Sequence, residues 1–164
     1  MRQAILTPAS SAKANEFLMQ WLADRPDLRT IAVYSPLPGE VDFSETIAQR
    51  GDLRWVFPRV CGAALALHHV AHPPEGLSLG AFKILEPDST LPEIAVSEID
   101  AFICPGLAFD PRGGRLGRGR GFYDRLLANA RPNAPKVGAC FAHQWVTTTH
   151  PDPHDVHMDH VIVG

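Results

Sequence analysis

The segment from Asp100 to Leu127 constrains the fold more than any other part of this sequence. An apolar run, Ala101-Phe102-Ile103-Cys104, breaks at Pro105-Gly106 and passes into a loop where five glycines (Gly113, Gly114, Gly117, Gly119, Gly121) are interleaved with four arginines (Arg112, Arg115, Arg118, Arg120). Phe122-Tyr123-Asp124-Arg125-Leu126-Leu127 then reads as a helix start. Glycines let backbone N–H groups converge without Cβ obstruction, and a helix start adds partial positive charge, so the arrangement suits phosphate oxygens. The arginines add bidentate donors for the same anion. No Lys-Ser/Thr follows the glycines, and Gly117 to Gly121 lacks dinucleotide-fingerprint spacing, which sets aside both common nucleotide motifs. By spacing alone, a polyphosphate site, a solvated loop and an RNA-contacting basic loop all stay open.

At 164 residues, with 45% hydrophobic and 20% charged residues, the chain has the composition of one globular domain spanning 1–164. A formal charge of −3 argues against a general nucleic-acid binder, because the basic residues are concentrated in one loop. The three cysteines, Cys61, Cys104 and Cys140, have no CxxC spacing and read as reduced thiols of a cytoplasmic protein. Cys104 and Cys140 lie in apolar runs, without a neighbouring base, and read as small buried hydrophobes rather than nucleophiles. No apolar run is long enough to span a bilayer and no leader-type apolar region opens the chain, so neither membrane insertion nor secretion is expected.

Thr7-Pro8 fits an N-cap with proline at the first helical position, and Ala14, Phe17, Leu18, Trp21 and Leu22 recur at helical spacing, so a core-covering helix is expected to end near Pro26. Thr30 to Ser35 reads as a buried strand stopped by Pro36-Leu37-Pro38-Gly39. Asp42 with Glu45 has capping-box spacing for a short helix through Arg50. Leu53 to Val60 reads as a second strand with Pro58 at its end, and Leu65 to Val70 as a third. A helix from Phe122 to Asn129, a strand from Val137 to Phe141 and a terminal strand after Asp159 complete the pattern. Strands alternating with helices imply an α/β fold with a largely parallel sheet covered on both faces, with ligands at the carboxyl ends of its strands, where the loop after Cys104 opens.

The central segment resembles the signature of the 5-formyltetrahydrofolate cyclo-ligase (methenyltetrahydrofolate synthetase) family. The matching residues are Pro105, Gly106, Phe109, Asp110, Gly113, Arg115, Leu116, Gly117, Gly119, Gly121, Phe122, Tyr123 and Asp124. Tyr34 to Asp42 resembles the family's strand–turn–glutamate segment, Phe82 to Pro87 its Gly-Ile-x-Glu-Pro segment without the glycine, Gln144 its Phe-x-x-Gln, and Asp155 to Asp159 its terminal pair of aspartates. The resemblance implies a three-layer α/β/α sandwich similar to the phosphosugar isomerase and CoA-transferase folds. It also implies ATP-dependent cyclisation of 5-formyltetrahydrofolate to 5,10-methenyltetrahydrofolate, with release of ADP and phosphate.

On that resemblance Arg115 and Tyr123 are catalytic candidates. Residues 115 to 123 (Arg115, Leu116, Gly117, Arg118, Gly119, Arg120, Gly121, Phe122, Tyr123) bind ATP phosphates, Glu40 and Phe122 bind the folate, and Asp124 with Asp159 hold Mg2+. Without it, Glu40 reads as a turn carboxylate, Asp124 as a first-turn helix acid, and Phe122 and Tyr123 as helix anchors. Partners are then the reduced folate and ATP, with no nucleic acid and no membrane, and the protein is expected to be a monomer, with an oligomer also open. His154, His157 and His160 have no zinc spacing and read as surface or hinge residues.

One departure bears on activity. The family begins with a helix carrying Lys-x-x-x-Arg toward the phosphates, whereas Arg2 is the sole basic residue ahead of Thr7 and Lys13 lies on another segment. The family's terminal Thr-Glu is replaced by Val163-Gly164. A late start codon, compensation by Arg118 and Arg120, and a weakly active or inactive folate- or nucleotide-binding paralogue are the open readings. A phosphosugar-binding relative would rest on architecture alone.

Overall fold

The computed structural model describes residues 8–164. In chain order the elements are α1 (Pro8–Ala23), β1 (Thr30–Ala32), α2 (Ser44–Gln49), β2 (Arg54–Cys61), β3 (Ala64–His69), β4 (Leu77–Leu79), β5 (Leu85–Pro87), β6 (Ala101–Cys104), β7 (Ala108–Phe109), β8 (Arg115–Leu116), α3 (Phe122–Ala128), β9 (Lys136–Cys140) and β10 (His160–Val163). A six-stranded sheet in the order β10-β9-β6-β1-β2-β3 forms the centre, and β4-β5 and β7-β8 are separate two-stranded ribbons. All neighbours in the main sheet are parallel except β2 and β3, which form a hairpin.

Successive side chains on a strand point to opposite faces, and here both faces are dry. Ile31, Val33, Trp55, Phe57, Ile103 and Val137 face α1 and α2, packing on Ala14, Leu18 and Leu22. Ala32, Val56, Phe102, Cys104 and Cys140 face the other way, against Leu126 and Leu127 of α3 and the ring of Phe109. This gives the helix–sheet–helix layering expected from the sequence. Full burial of a Leu such as Leu18 contributes about 1.5–3 kcal/mol.

Three local expectations change, and one falls outside the described residues. Phe17 is 48% exposed, because α1 turns only the Ala14-Leu18-Leu22 line fully onto the sheet; Trp21 is partly buried beside it. Thr7 and Arg2 fall outside the described residues. The Asp42–Glu45 capping box is not made: Phe43 occupies the N-cap, and Asp42 Oδ1 instead accepts from the N–H (2.9 Å) and hydroxyl (2.5 Å) of Ser44. A buried amide secures that helix, since Asn15 Oδ1 accepts from the Thr46 N–H at 3.0 Å and its hydroxyl at 2.7 Å.

Pro58 sits inside β2, opposite Leu67 of β3, rather than at the strand end. The Val56 carbonyl accepts from Val33 N–H at 2.9 Å, after which β1 has run out, so the edge on which Pro58 lacks a donor has no partner strand to serve. The proline thereby sits against the open space that β1 leaves. Among the described residues no helix is long and apolar enough to cross a membrane.

Candidate active site

A cleft of about 560 Å³ opens at the carboxyl ends of β1 and β6. Its walls are the turn after β1 (Tyr34, Ser35, Glu40), the β2 edge (Pro58, Val60), the β4–β5 ribbon (Phe82, Glu86) and the glycine–arginine loop running into α3. Every residue from Arg115 to Asp124 lines it, as does Glu40.

The base of the loop is built around Asp110, which is 2% exposed. Its carboxylate accepts from the N–H groups of Arg112, Gly114 and Thr149 and from the Thr149 hydroxyl, all at 2.9 Å. Burial pushes this carboxyl upward, but the hydrogen bonds from Thr149, Gly114 and Arg112 outweigh it and bring its pKa down to about 2. Gln144 holds the next stretch, its amide donating to Gly106 O at 3.0 Å while its oxygen accepts from Phe141 N–H at 2.9 Å. Gly138, in mid-strand, faces the Phe109 ring so closely that a Cβ there would lie 2.3 Å from it.

On this base stands Arg115. Its Nη1 donates to Pro105 O at 2.9 Å and its guanidinium lies 5.2 Å from the centre of the Tyr123 ring. Its Nε is buried without a hydrogen-bond partner among the described residues. A buried guanidinium N–H left unpaired is costly. Burial first, then the Cys104 and Glu40 charges, raise the Tyr123 hydroxyl far above the ordinary tyrosine value despite Arg115, so the hydroxyl keeps its proton. Burial likewise pushes Cys104 up to about 12 and Cys140 to about 11, which leaves both thiols inert.

The outer loop reaches to both walls. Arg118 Nη2 lies 3.9 Å from Glu40 Oε2, and the Arg120 guanidinium lies 4.0 Å from the ring centre of Phe82 on the opposite wall. Phe82 in turn faces Phe122 at 6.3 Å between ring centres. Glu40 is anchored by the Leu37 N–H at 2.8 Å on Oε1, and burial raises its carboxyl against the lowering effects of that N–H and of Arg118.

The 5-formyltetrahydrofolate cyclo-ligase family matches residues 3–164 of the sequence. The chain belongs to that family. A 5-formyltetrahydrofolate cyclo-ligase of Mycolicibacterium smegmatis is 33% identical over 156 residues, covering 90% of this chain and 80% of the relative. The Escherichia coli K12 protein of the same name is 33% identical over 138 residues, 78% of this chain and 75% of the relative. Among solved structures, the 5,10-methenyltetrahydrofolate synthetase of Aquifex aeolicus superposes with a TM-score of 0.79 at 30% identity, covering 96% of this chain and 81% of that one. The synthetase of Mycoplasma pneumoniae gives 0.75 at 26% identity, covering 96% and 89%.

Of the cyclo-ligase site residues expected from the sequence, Asp159 is the one the fold takes elsewhere. Its Oδ2 accepts from Lys136 N–H at 2.8 Å, capping the amino-terminal start of β9, whereas the cleft lies at the carboxyl ends of the strands. The carboxylates that line the cleft beside Asp124 are Asp152 and Asp155. Asp124 Oδ1 accepts from Val156 N–H at 3.3 Å, which draws it to that segment. The expected metal pair Asp124–Asp159 is therefore not assembled; Asp124 and Asp155 share the cleft.

Sequence reasoning also gives no role to Asp110, Glu86 or Phe82. Asp110 is visible in the signature, but its function depends on Thr149, which is remote in sequence. Glu86 accepts from the freed Val60 N–H at 3.2 Å, a partner only the β2 edge reveals. Phe82 reaches the cleft because it and Lys83 both adopt φ of 59° at the ribbon tip, a conformation that residue type does not advertise.

Proposed function

We infer that this cleft carries out its family's reaction, the ATP-dependent closure of 5-formyltetrahydrofolate to 5,10-methenyltetrahydrofolate with release of ADP and phosphate. The observation that carries the reading is Arg115, which lines the cleft rimmed by the signature loop and whose buried Nε has no hydrogen-bond partner among the described residues. A formamide oxygen is a poor leaving group; transfer of the γ-phosphoryl group to it makes the carbon open to N10. Such transfer needs positioning and charge neutralisation more than a protein nucleophile, and the inert Cys104 and Cys140 accord with this.

Arg115, with the backbone N–H groups of Gly117 to Gly121, binds the phosphates, and Arg118 and Arg120 add charge at the rim. Tyr123 donates a hydrogen bond from a hydroxyl that keeps its proton. Glu40 and Phe122 hold the folate between the two aromatic walls. The donor set fits Mg2+, a hard ion that takes one or two carboxylates and completes its shell with water and phosphate oxygens. Asp124 and Asp155 are the residues that would hold it, and when bound it supplies neutralisation of phosphate charge. The same reading makes the protein a single-domain cytoplasmic monomer with small-molecule partners, without nucleic acid or membrane, in keeping with its net charge of −3.

The deciding experiment follows the near-UV absorbance of the methenyl product in purified protein with 5-formyltetrahydrofolate and magnesium, with and without ATP. Product is expected only with ATP. Absence of ATP-dependent product in folded protein overturns the reading.

A further inference from the structure

The cyclisation has a proton to dispose of, and the signature loop does not say where it goes. N10 of the substrate is a secondary arylamine, and in the methenyl product it carries no hydrogen. As the N10–carbon bond forms and the carbon–oxygen bond to phosphate breaks, N10 must pass its proton to a base in the cleft.

The available groups sort themselves by their partners. Tyr34 and Tyr123 hold their protons, both raised by burial first and then by neighbouring charges that include Glu40. Asp124 and Asp155 both line the cleft, and Asp124 Oδ1 accepts from Val156 N–H. Glu86 gives one oxygen to Val60 N–H, and its other oxygen lies against Gly80, where a Cβ would come within 2.3 Å of it. Glu40 is different. Its side chain is 8% exposed, its Oε1 is fixed by Leu37 N–H, and its Oε2 faces the Arg118 guanidinium at 3.9 Å.

Arg118 is 51% exposed and belongs to the loop that rims the phosphate end of the cleft, so its charge can serve Glu40 or a phosphate oxygen. We propose that Glu40 accepts the N10 proton and that Arg118, by pairing either with Glu40 or with the transferred phosphate, governs when it does so. While Arg118 faces Glu40 the carboxylate is held ionised and ready. Once Arg118 turns to the phosphate, the carboxylate loses its counter-charge in a desolvated wall and takes a proton more readily. Phosphorylation of the formyl oxygen is thereby tied to removal of the proton that the next step releases. The step balances: the N10–H electron pair completes the new N10–carbon bonding, the proton passes to Glu40, and phosphate departs with the electrons of the carbon–oxygen bond.

The groups around Glu40 define the test. Arg118 is the cation facing it, Tyr34 and Tyr123 are neutral, and Arg115 is stacked behind Tyr123. This proposal rests on the cyclo-ligase reading, and the wild-type assay separates the two, since loss of ATP-dependent product there removes both. Given product, Glu40→Gln should lower kcat by about 100-fold or more, beyond any loss of folate binding seen by calorimetry, and the acidic limb of the kcat–pH profile should disappear. Arg118→Ala should move that limb to higher pH, because the remaining carboxylate has lost its cation, and Arg118→Lys should restore it part of the way. A Glu40→Gln enzyme that changes KM alone overturns the proposal. So does an acidic limb that stays in place in Arg118→Ala.

Discussion

The two halves of the glycine–arginine loop use the same residue types for different physical ends. In the first half Gly113, at φ +84°, and Gly114 are buried, and a Cβ on either would sit 2.3 Å from Met158 O or from Asp110 Oδ2 and Thr149 Oγ1. Here glycine is required because other atoms occupy the space. In the second half a Cβ on Gly119, at φ +88°, would meet nothing within 4 Å, and one on Gly117 would meet first the flexible end of Arg115, at 3.2 Å. There glycine serves backbone shape and exposed N–H groups. The first half is a packed foundation and the second is an open stretch lining the cleft, with Arg115 at the junction.

Substitutions can break or sharpen that contrast. Arg115→Ala should cost most, about a thousandfold in kcat/KM (~4 kcal/mol), with the folded signal by circular dichroism retained. A variant with near-normal turnover would move Arg115 into the foundation. Gly114→Ala should destabilise the fold by about 3 kcal/mol in urea unfolding through overpacking against Asp110 and Thr149. An unchanged midpoint would show that the foundation yields.

Asp110→Asn should cost about 2 kcal/mol, since several donors lose a charged acceptor. Its pH dependence has a fixed sign. The native carboxyl is lowered to about 2, so its contribution is complete above the unfolded value of about 4 and is lost as pH falls through about 2. The stability difference between wild type and Asp110→Asn should therefore shrink across that window, and a difference that grows toward acid would contradict the hydrogen-bonded hub. Gly119→Ala should be mildest, about 1 kcal/mol from its positive φ, with kcat/KM within a few-fold. A loss as large as that of Gly114→Ala would erase the distinction between the halves.

Much of this is legible in the sequence because it is local. The alternation of Ile31, Ala32 and Val33 on two buried faces, the stop after Cys104, and the helix starting at Phe122 all follow from short-range pattern and sterics. Phe17 departs from expectation because periodicity locates a helical stripe but not its edges. Pro58 departs from it because a proline is tolerated wherever the neighbouring strand has ended, and strand order is a property of the whole sheet.

The site divides along the same line. Sequence by itself picked out the glycine–arginine loop from Arg115 to Asp124, and its family resemblance added Glu40; both line one cleft because the turn after β1 and the loop after β6 open at the same ends of parallel neighbours. Tertiary structure alone decided which later carboxylate joins them. Asp155 and Asp159 are four positions apart, yet one lines the cleft and the other caps Lys136 at the far start of β9. It also decided that Glu40 faces Arg118, and that Asp110 meets Thr149. Hydrogen bonds and charge pairs between remote segments depend on direction as well as spacing, and direction is set only when the layers close.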